Sequence, residues 1–235
     1  MDTDTLMLIG IVAVLVGIVL FVLIRRWHFL AVCKRNRFTL FDADSAPDTL
    51  YGFTVTDGGN ASVLGFEMTS DVVWNYFVLL NLPERETFFL SMTHEFVPEG
   101  YGFRRRRYRN IRHVYALAVK TEKEMPYVKI ATHNFWDKLS FYFYYLNQPR
   151  MDEPEQPVPP GTPYKLYASD ASPDQLQVLY DFIAEQSQFL KQEKLNIEIS
   201  GKYIIFYKLS GGNDPCYFRD KVYPAALSLA EMLDK

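Results

Sequence analysis

The stretch Leu6 to Ile24 constrains this chain most, because its nineteen consecutive residues include no polar side chain. As a helix it would extend roughly 28 Å at about 1.5 Å per residue, close to the thickness of a bilayer's hydrocarbon core. A cleaved signal peptide would need a basic N-terminal region, a shorter apolar stretch and a small-residue cleavage site. Here Asp2 and Asp4 precede the stretch, and no Ala-x-Ala site follows. The sequence therefore predicts a transmembrane helix over residues 6–24, after a short extracytoplasmic segment at 1–5.

The flanks of the apolar stretch predict its orientation. The basic residues that follow it are Arg25, Arg26, Lys34, Arg35 and Arg37. An excess of Lys and Arg marks the cytoplasmic side of a membrane. We therefore expect the N-terminus outside and the bulk of the chain in the cytoplasm, with Arg25, Arg26 and Trp27 at the membrane interface. The basic flank has two interpretations: it sets the topology, or it also attracts anionic membrane lipid.

Three small residues within the stretch share one helical face. Gly10, Ala13 and Gly17 stand at i, i+3 and i+7, and Ala13 and Gly17 form a small-xxx-small pair. Such a pair lets two membrane helices approach closely, which would make the protein a homo-oligomer. The alternative is that Gly and Ala are simply common in membrane helices.

The composition of the remaining chain is that of a folded domain. The protein has 235 residues, of which 49% are hydrophobic and 23% are charged, as in globular proteins. Residues 38–235 carry 20 basic and 26 acidic residues, so we expect no nucleic-acid partner. The two cysteines, Cys33 and Cys216, exclude a disulfide framework and a four-cysteine metal site, and they fit a reducing cytoplasm.

Two polar breaks predict the domain organisation. Residues 25–48 combine the basic juxtamembrane residues with a turn-rich linker, and we expect one domain over residues 49–235. Asn147 to Pro163 contains six prolines, which fix φ and donate no hydrogen bond. We therefore expect an exposed, extended loop over residues 147–163.

The first part of this domain is dominated by short β-rich segments with one turn signal at Asp57 to Asn60. The predicted strands are Tyr51 to Val55, Ser62 to Met68, Val72 to Leu79, Thr87 to Met92, His113 to Lys120 and Tyr127 to Ala131. Asn134 to Leu146 fits a helix, but its many aromatic residues leave that assignment open.

The C-terminal third predicts a strand at Tyr164 to Ala168, which a helix follows. In this helix Ser172 is the N-cap, Pro173 is the first residue and Gln175 is the capping-box partner of Ser172. Two further strands, Leu195 to Ile199 and Tyr203 to Tyr207, are separated by a turn at Gly201-Lys202. The solvated face of the first of these two strands consists of Asn196, Glu198 and Ser200. The last predicted helix extends from Asp220 to Leu233. Together these elements predict an α+β domain with a mainly antiparallel sheet and its helices late in the chain.

The densest charge cluster is GFRRRRYRNIRH at Gly102 to His113. We predict that Arg104, Arg105, Arg106, Arg107 and Arg109 form a contact surface for an acidic protein or for lipid headgroups, because Arg binds oxyanions in a bidentate manner. The alternative is a charged, exposed strand edge that prevents aggregation.

No catalytic or metal-binding motif is evident. His133 and Asp137 stand at helical spacing, but no second His supports a metal site, and Asn134 as a helix cap explains this pattern. His94 adjoins Glu95, yet neighbouring strand residues face opposite ways. The chain has no G-x-S-x-G elbow. We therefore predict a protein that is not an enzyme and has no cofactor or metal.

Several segments, taken in their order along the chain, resemble those of a group of bacterial proteins. They are the span, the arginine-rich stretch leading into HVYALAV at 113–119, EMPYVKI at 124–130, YKLYA at 164–168 and NIEISGKYII at 196–205. The chain resembles the uncharacterised single-pass membrane-anchored α+β proteins of bacteria. This resemblance implies a bacterial inner membrane and supplies no functional residue.

Taken together, the sequence predicts a single-pass membrane protein whose cytoplasmic α+β domain is a non-enzymatic binding or scaffolding module with a protein partner. One alternative is a membrane-tethered enzyme or small-ligand sensor with a site built from scattered residues. Another is an assembly subunit whose contacts are made by the span itself.

Overall fold

A computed structural model gives the structure of the chain. It describes residues 3–41, 61–63, 66–68, 72–96, 110–132, 155–158, 161–168, 170–208 and 214–235. The chain divides into two compact units, Met1–Thr39 and Leu40–Lys235. The predicted strand Tyr51 to Val55, the turn at Asp57 to Asn60, the segment Asn134 to Leu146 and most of the proline-rich loop lie outside the described residues.

The first unit is built on helix α1, Thr3–Arg35, which continues eleven residues beyond the apolar stretch. Its end is closed by two backbone hydrogen bonds: the Phe38 N–H donates to the Cys33 carbonyl at 2.9 Å and the Arg37 N–H to the Lys34 carbonyl at 3.2 Å. Arg37 has a φ of 59°, the left-handed conformation that such a C-terminal cap requires. The predicted span at 6–24 thus lies inside one longer helix.

The second unit contains a seven-stranded sheet and a separate two-stranded hairpin. The hairpin pairs β2 (Ala61–Val63) with β3 (Phe66–Met68), so the single predicted strand from Ser62 to Met68 is wrong. The sheet order is β1-β4-β5-β6-β8-β7, and β9 also pairs with β6. Its strands are β1 Thr39–Phe41, β4 Val72–Leu79, β5 Thr87–Phe96, β6 Asn110–Thr132, β7 Glu155–Gln156, β8 Tyr164–Ala168 and β9 Asn196–Lys208.

Strand β6 organises the sheet. Its first half pairs antiparallel with β5, its second half pairs antiparallel with β8, and β9 runs antiparallel along both halves. The predicted strands His113 to Lys120 and Tyr127 to Ala131 are therefore one strand. Its register with β9 shifts between Lys120 and Val128, as at a β-bulge, yet the strand continues through this region.

Strand β9 is also continuous where the sequence predicts a turn. Gly201 has a φ of 57°, a conformation that Gly adopts without a steric penalty. It pairs with Met125 at the irregular part of β6, so the left-handed residue produces a bend within a paired strand. The predicted turn at Gly201-Lys202 is wrong for this reason: a glycine bend and a chain reversal have the same local sequence.

Helix α2, Pro173–Glu193, begins as predicted. The Ser172 hydroxyl accepts a hydrogen bond from the Gln175 N–H at 3.2 Å, and the Gln175 side chain accepts one from the Ser172 N–H at 2.9 Å. This reciprocal pair confirms the capping box. The buried face of α2 consists of Leu179, Phe182, Ile183 and Leu190.

The C-terminal helical region begins earlier than predicted. The Asp214 carboxylate accepts a hydrogen bond from the Cys216 N–H at 2.9 Å and caps the helical turn α3, Pro215–Tyr217. A π-helical segment, Phe218–Val222, follows, and then helix α4, Tyr223–Asp234. The sequence prediction, which began at Asp220, missed a start formed by an Asp cap and a proline at the first helical position.

The core lies between the sheet and these helices. The rings of Phe182 in α2 and Phe206 in β9 are 6.2 Å apart, and those of Phe89 in β5 and Phe218 are 5.2 Å apart. All four side chains are fully buried. Burying an aromatic or aliphatic side chain of this size stabilises the fold by about 1.5–3 kcal/mol. The architecture confirms the predicted α+β class with an antiparallel sheet and late helices.

Candidate functional sites

The apolar stretch of α1 is exposed throughout its length. Each large apolar side chain from Leu6 to Ile24 is between 47% and 68% exposed. A continuous apolar surface of this size marks a contact with a membrane or a partner. In the described part of the chain, α1 is the one helix long and apolar enough to cross a membrane. This supports membrane association and is compatible with a single-pass membrane protein.

The end of the stretch carries the predicted interface residues. Trp27 is 75% exposed, and Arg25 and Arg26 are exposed beside it. The Arg25 guanidinium carbon lies 5.6 Å from the centre of the Phe21 ring. An exposed aromatic ring with neighbouring cations, directly after an apolar segment, is typical of residues at the headgroup level of a bilayer.

The three small residues of α1 are also exposed. A Cβ atom added at Gly10 or Gly17 would meet no other atom within 4 Å. With Ala13, these residues leave a shallow strip along one side of the helix. Self-association through this strip stays a prediction.

A buried ion pair lies in the sheet of the second unit. Lys129 of β6 stands directly opposite Glu198 of β9 in the strand register, and the Lys129 Nζ lies 3.5 Å from the Glu198 Oε1. The Tyr207 hydroxyl donates a hydrogen bond to the same oxygen at 3.1 Å. The Glu198 side chain is only 1% exposed. A buried pair of charges needs such additional hydrogen bonds to offset its desolvation.

This cluster corrects the sequence prediction that Glu198 belongs to a solvated strand face. Asn196 is half-buried and Glu198 is buried. The alternation of polar and apolar residues in β9 is real, but the polar face is covered at Glu198. The left-handed Gly201 lies between Glu198 and Tyr207, and the bend there allows two residues nine positions apart to meet. Neither the bend nor Lys129 on β6 could be read from the local pattern.

A second cationic side chain is enclosed where β9 ends. The Lys208 Nζ lies 3.9 Å from the centre of the Tyr217 ring and 5.4 Å from that of Phe218. The Tyr217 hydroxyl donates to the Glu193 carboxylate at the end of α2. Burial lowers the pKa of Lys208, although the nearby Glu193 carboxylate opposes this effect. The cluster joins the last residue of β9 to α3 and α2 through a cation–π contact.

A third cluster fixes the end of α4. The Asp234 carboxylate accepts hydrogen bonds from the Arg85 guanidinium at 2.5 Å and from the Glu122 and Lys123 N–H groups, each at 3.1 Å to Oδ1. Burial alone would raise the pKa of Asp234, but these hydrogen bonds hold it below its usual value. Asp234 thereby connects α4 to the β4–β5 connection and to the irregular part of β6.

The predicted arginine surface, Arg104 to Arg107 with Arg109, lies outside the described residues. It belongs to the chain between β5 and β6, whose facing ends pair Phe96 with Asn110. His133 and Asp137 also lie outside the described residues. In the backbone register, His94 pairs with Arg112 and His113 with Thr93, which places these histidines on successive rungs of the sheet.

Among the described residues, no group of three or more His, Cys, Asp or Glu side chains is arranged to hold a metal ion. Cys33 and Cys216 are not joined in a disulfide. Burial, followed in importance by the Asp214 carboxylate, raises the pKa of Cys216, which disfavours the thiolate that a reactive cysteine needs.

No family model, curated protein or solved structure matches this chain.

Proposed function

We propose that this protein is a single-pass membrane protein whose α+β domain lies on the cytoplasmic side and binds another protein as a non-enzymatic scaffold. The observation that carries the proposal is the apolar surface of α1, exposed around the whole helix from Leu6 to Ile24. Moving that surface from water into lipid is favourable, since about 25 cal/mol is gained for each Å² of apolar area removed from water.

The orientation in this proposal rests on charge. The helix carries Arg25, Arg26, Lys34 and Arg35 after the apolar stretch, and only Asp2 and Asp4 precede it. The positive side of a membrane helix stays in the cytoplasm. In a bacterial cell, we therefore expect the sheet domain on the inner face of the inner membrane.

Thiol labelling tests this orientation. In a background with Cys33→Ser and Cys216→Ser, single cysteines are introduced by Thr5→Cys before the span and by Lys235→Cys in the domain; both residues are exposed. We expect a membrane-impermeant maleimide to label Thr5→Cys in intact cells and Lys235→Cys only after permeabilisation. The reverse pattern would overturn the proposed orientation.

The binding role rests on the character of the domain. Its described core contains many fully buried apolar side chains, and the pairs Arg85–Asp234 and Lys129–Glu198 connect its strands and its last helix. The arginine run between β5 and β6 is the proposed contact surface, because guanidinium groups bind carboxylates and phosphates in a bidentate manner.

In-cell crosslinking of the full-length protein, followed by mass spectrometry, tests the binding role. We expect one stoichiometric protein crosslinked near residues 104–109. Replacing Arg104 to Arg107 and Arg109 with Ser should remove it without lowering the melting temperature. A purified protein that carries no partner, or a partner that stays bound to the Ser variant, would contradict this assignment.

A small-ligand sensor is the second candidate, and the Lys129–Glu198–Tyr207 cluster favours it. These three groups place a carboxylate, an ammonium and a hydroxyl together inside the sheet, and a few converging polar groups of this kind orient a ligand where they line an apolar pocket. Titration calorimetry of the full-length protein with metabolite pools, compared with Glu198→Gln, distinguishes this candidate from the scaffold.

A further inference from the structure

Helix α1 does not end where its apolar stretch ends. It continues from Arg25 to Arg35 and closes with the left-handed cap at Arg37. Arg35 follows Arg25 by ten positions, which corresponds to about 15 Å along the helix axis. A headgroup layer is roughly 5–8 Å deep on each side of the hydrocarbon core. Arg25 and Arg26 therefore fall at headgroup depth, and Lys34 and Arg35 lie within about one Debye length beyond it.

Within the described residues, no carboxylate pairs with the positive charges of this extension. From Thr5 to Phe41 the sequence contains no Asp or Glu. Arg25, Arg26, Lys34 and Arg35 are all exposed, and none of them forms an ion pair within the described part of the chain.

The second unit contrasts with this extension. There, four described basic side chains contact carboxylates in the pairs Arg85–Asp234, Lys120–Glu86, Lys129–Glu198 and Arg219–Asp220. Exposed lysines outside these pairs, such as Lys191 and Lys202, also occur in the second unit, but acidic residues are interspersed with them along the chain. The basic residues of α1 differ because they follow its apolar stretch with no acidic residue between Thr5 and Phe41.

The angular distribution of the charges indicates which anion they face. At about 100° per residue, Arg25, Arg26, Lys34 and Arg35 stand near 0°, 100°, 180° and 280° around the axis. A protein partner covers one side of a helix and would be matched by charges on one face. Phe29 and Cys33 of the extension are buried, so one side of it is covered. The four exposed cations still point in several directions around the axis, which suits headgroups spread around the open surface of a helix better than a partner bound to one face.

We propose that the extension of α1, residues 25–35, binds the headgroups of anionic phospholipids and thereby enriches these lipids around the protein. This inference rests on the proposed membrane anchoring. Juxtamembrane basic residues gain about 1 kcal/mol each near an anionic surface, which corresponds to about fivefold in association. Arg supplies two parallel donors to a phosphate, and Lys supplies a point charge.

Trp27 is a natural probe for the test, because it is exposed and lies at the expected headgroup level. The full-length protein is reconstituted into phosphatidylcholine vesicles that contain a fixed fraction of phosphatidylglycerol. One of the two lipids carries bromine on its acyl chains close to the headgroup and quenches nearby tryptophan. The variant Trp27→Phe provides the background from the other two tryptophans.

We expect brominated phosphatidylglycerol to quench Trp27 more strongly than the same fraction of brominated phosphatidylcholine. In a variant carrying Arg25→Gln, Arg26→Gln, Lys34→Gln and Arg35→Gln, the relative association constant should fall by up to about fivefold for each charge removed. A matched variant carries Lys191→Gln, Lys202→Gln, Lys221→Gln and Lys235→Gln; these exposed lysines lie in the second unit, and their replacement should leave the preference unchanged.

The outcomes separate the two proposals. Equal quenching by both lipids in the unmodified protein would overturn headgroup binding, and the basic extension would then be assigned to an acidic protein segment or to topology alone. Persistence of the preference in the four-residue α1 variant would overturn it as well. Absence of Trp27 quenching by either lipid would instead contradict the membrane anchoring itself.

Discussion

Helices α1 and α4 are both rich in apolar residues, yet one exposes them and the other buries them. In α1 the apolar side chains extend around the whole circumference, and all of them from Leu6 to Ile24 are exposed. In α4 the buried residues lie on one side, and Pro224 and Glu231 are exposed. The buried set is Tyr223, Ala225, Ala226, Leu229, Ala230 and Leu233.

The difference shows that the distribution of apolar residues, and not their number, decides which environment a helix needs. A one-sided apolar face is satisfied by packing on a sheet, whereas an all-round apolar surface has to be covered on every side, by lipid or by other protein. Each unit of the protein should therefore respond to a different kind of substitution.

The largest expected effect comes from placing charge in the middle of α1. The double change Leu15→Arg and Val16→Arg should raise the free energy of membrane insertion by about 5–7 kcal/mol, since one Arg at the centre of a span costs about 2.5–3.5 kcal/mol. We expect the variant to leave the membrane fraction, measured by sedimentation and immunoblotting. The melting temperature of the sheet domain should not change.

The reciprocal control lies in α4. Leu229 is fully buried, and Leu229→Ala should lower the free energy of unfolding by about 2–5 kcal/mol. It should leave the protein in the membrane fraction. If Leu229→Ala released the protein from the membrane, or if the α1 variant unfolded the domain, the two units would not be separable as we describe.

The next largest loss in the free energy of unfolding should come from breaking the buried Lys129–Glu198 pair. Glu198→Ala leaves the ammonium of Lys129 buried without its carboxylate, and the expected loss is about 3–5 kcal/mol in the free energy of unfolding. Lys120→Ala breaks the half-exposed pair with Glu86 at 3.0 Å and should cost less than about 1 kcal/mol. Urea titrations of both variants measure the difference; similar losses would contradict the buried placement of Glu198.

The contact of Asp234 with Arg85 should contribute less to the free energy of unfolding, and its contribution should depend on pH. Its carboxyl pKa is lower in the folded protein than in the unfolded chain, where it is about 3.9. The stabilisation is therefore complete above about pH 4 and is lost as the pH falls through the folded pKa. Asp234→Asn should cost about 1–3 kcal/mol near neutral pH, and the difference from the unmodified protein should shrink in acid.

Asp220→Asn is the matched control for this prediction. Asp220 pairs with Arg219 at 2.6 Å, but its side chain is 58% exposed, so the change should cost less than about 0.5 kcal/mol. Urea midpoints measured at neutral and acidic pH give both quantities. A difference for Asp234→Asn that grows in acid would have the wrong sign for our description.

Apart from the two control variants, the smallest expected effect on stability concerns the cap of α2. Ser172→Ala removes the acceptor for the Gln175 N–H, and such changes cost about 1 kcal/mol. We expect a drop of a few degrees in melting temperature with no change in membrane retention. Ser172→Asp keeps an acceptor and should restore most of the stability; failure to do so would indicate that the hydroxyl has another role.

The elements that the sequence predicts well are those whose signals are local. The apolar stretch of α1, the capping box at Ser172 and the strands Val72–Leu79 and Tyr164–Ala168 depend on side chains within a few residues of one another. Local patterns were enough there because each element's neighbours along the chain decide its conformation.

The elements that the sequence misses depend on partners far along the chain. The burial of Glu198 requires Lys129 on another strand, and the end of α4 is held by Arg85, which is 149 positions from Asp234. The continuity of β9 through Gly201 depends on its pairing with β6. Register and pairing are set by tertiary structure, so composition and periodicity do not contain them.

Alkaline carbonate extraction of membranes that contain the full-length protein tests the central claim most directly. Carbonate removes proteins that are held at a membrane surface by charge, whereas a helix within the hydrocarbon core resists it. Because α1 presents apolar side chains on every side, we predict that the protein stays in the membrane pellet and that the Leu15→Arg and Val16→Arg double variant does not. Recovery of the unmodified protein in the supernatant would contradict the assignment of α1 as the membrane-spanning element.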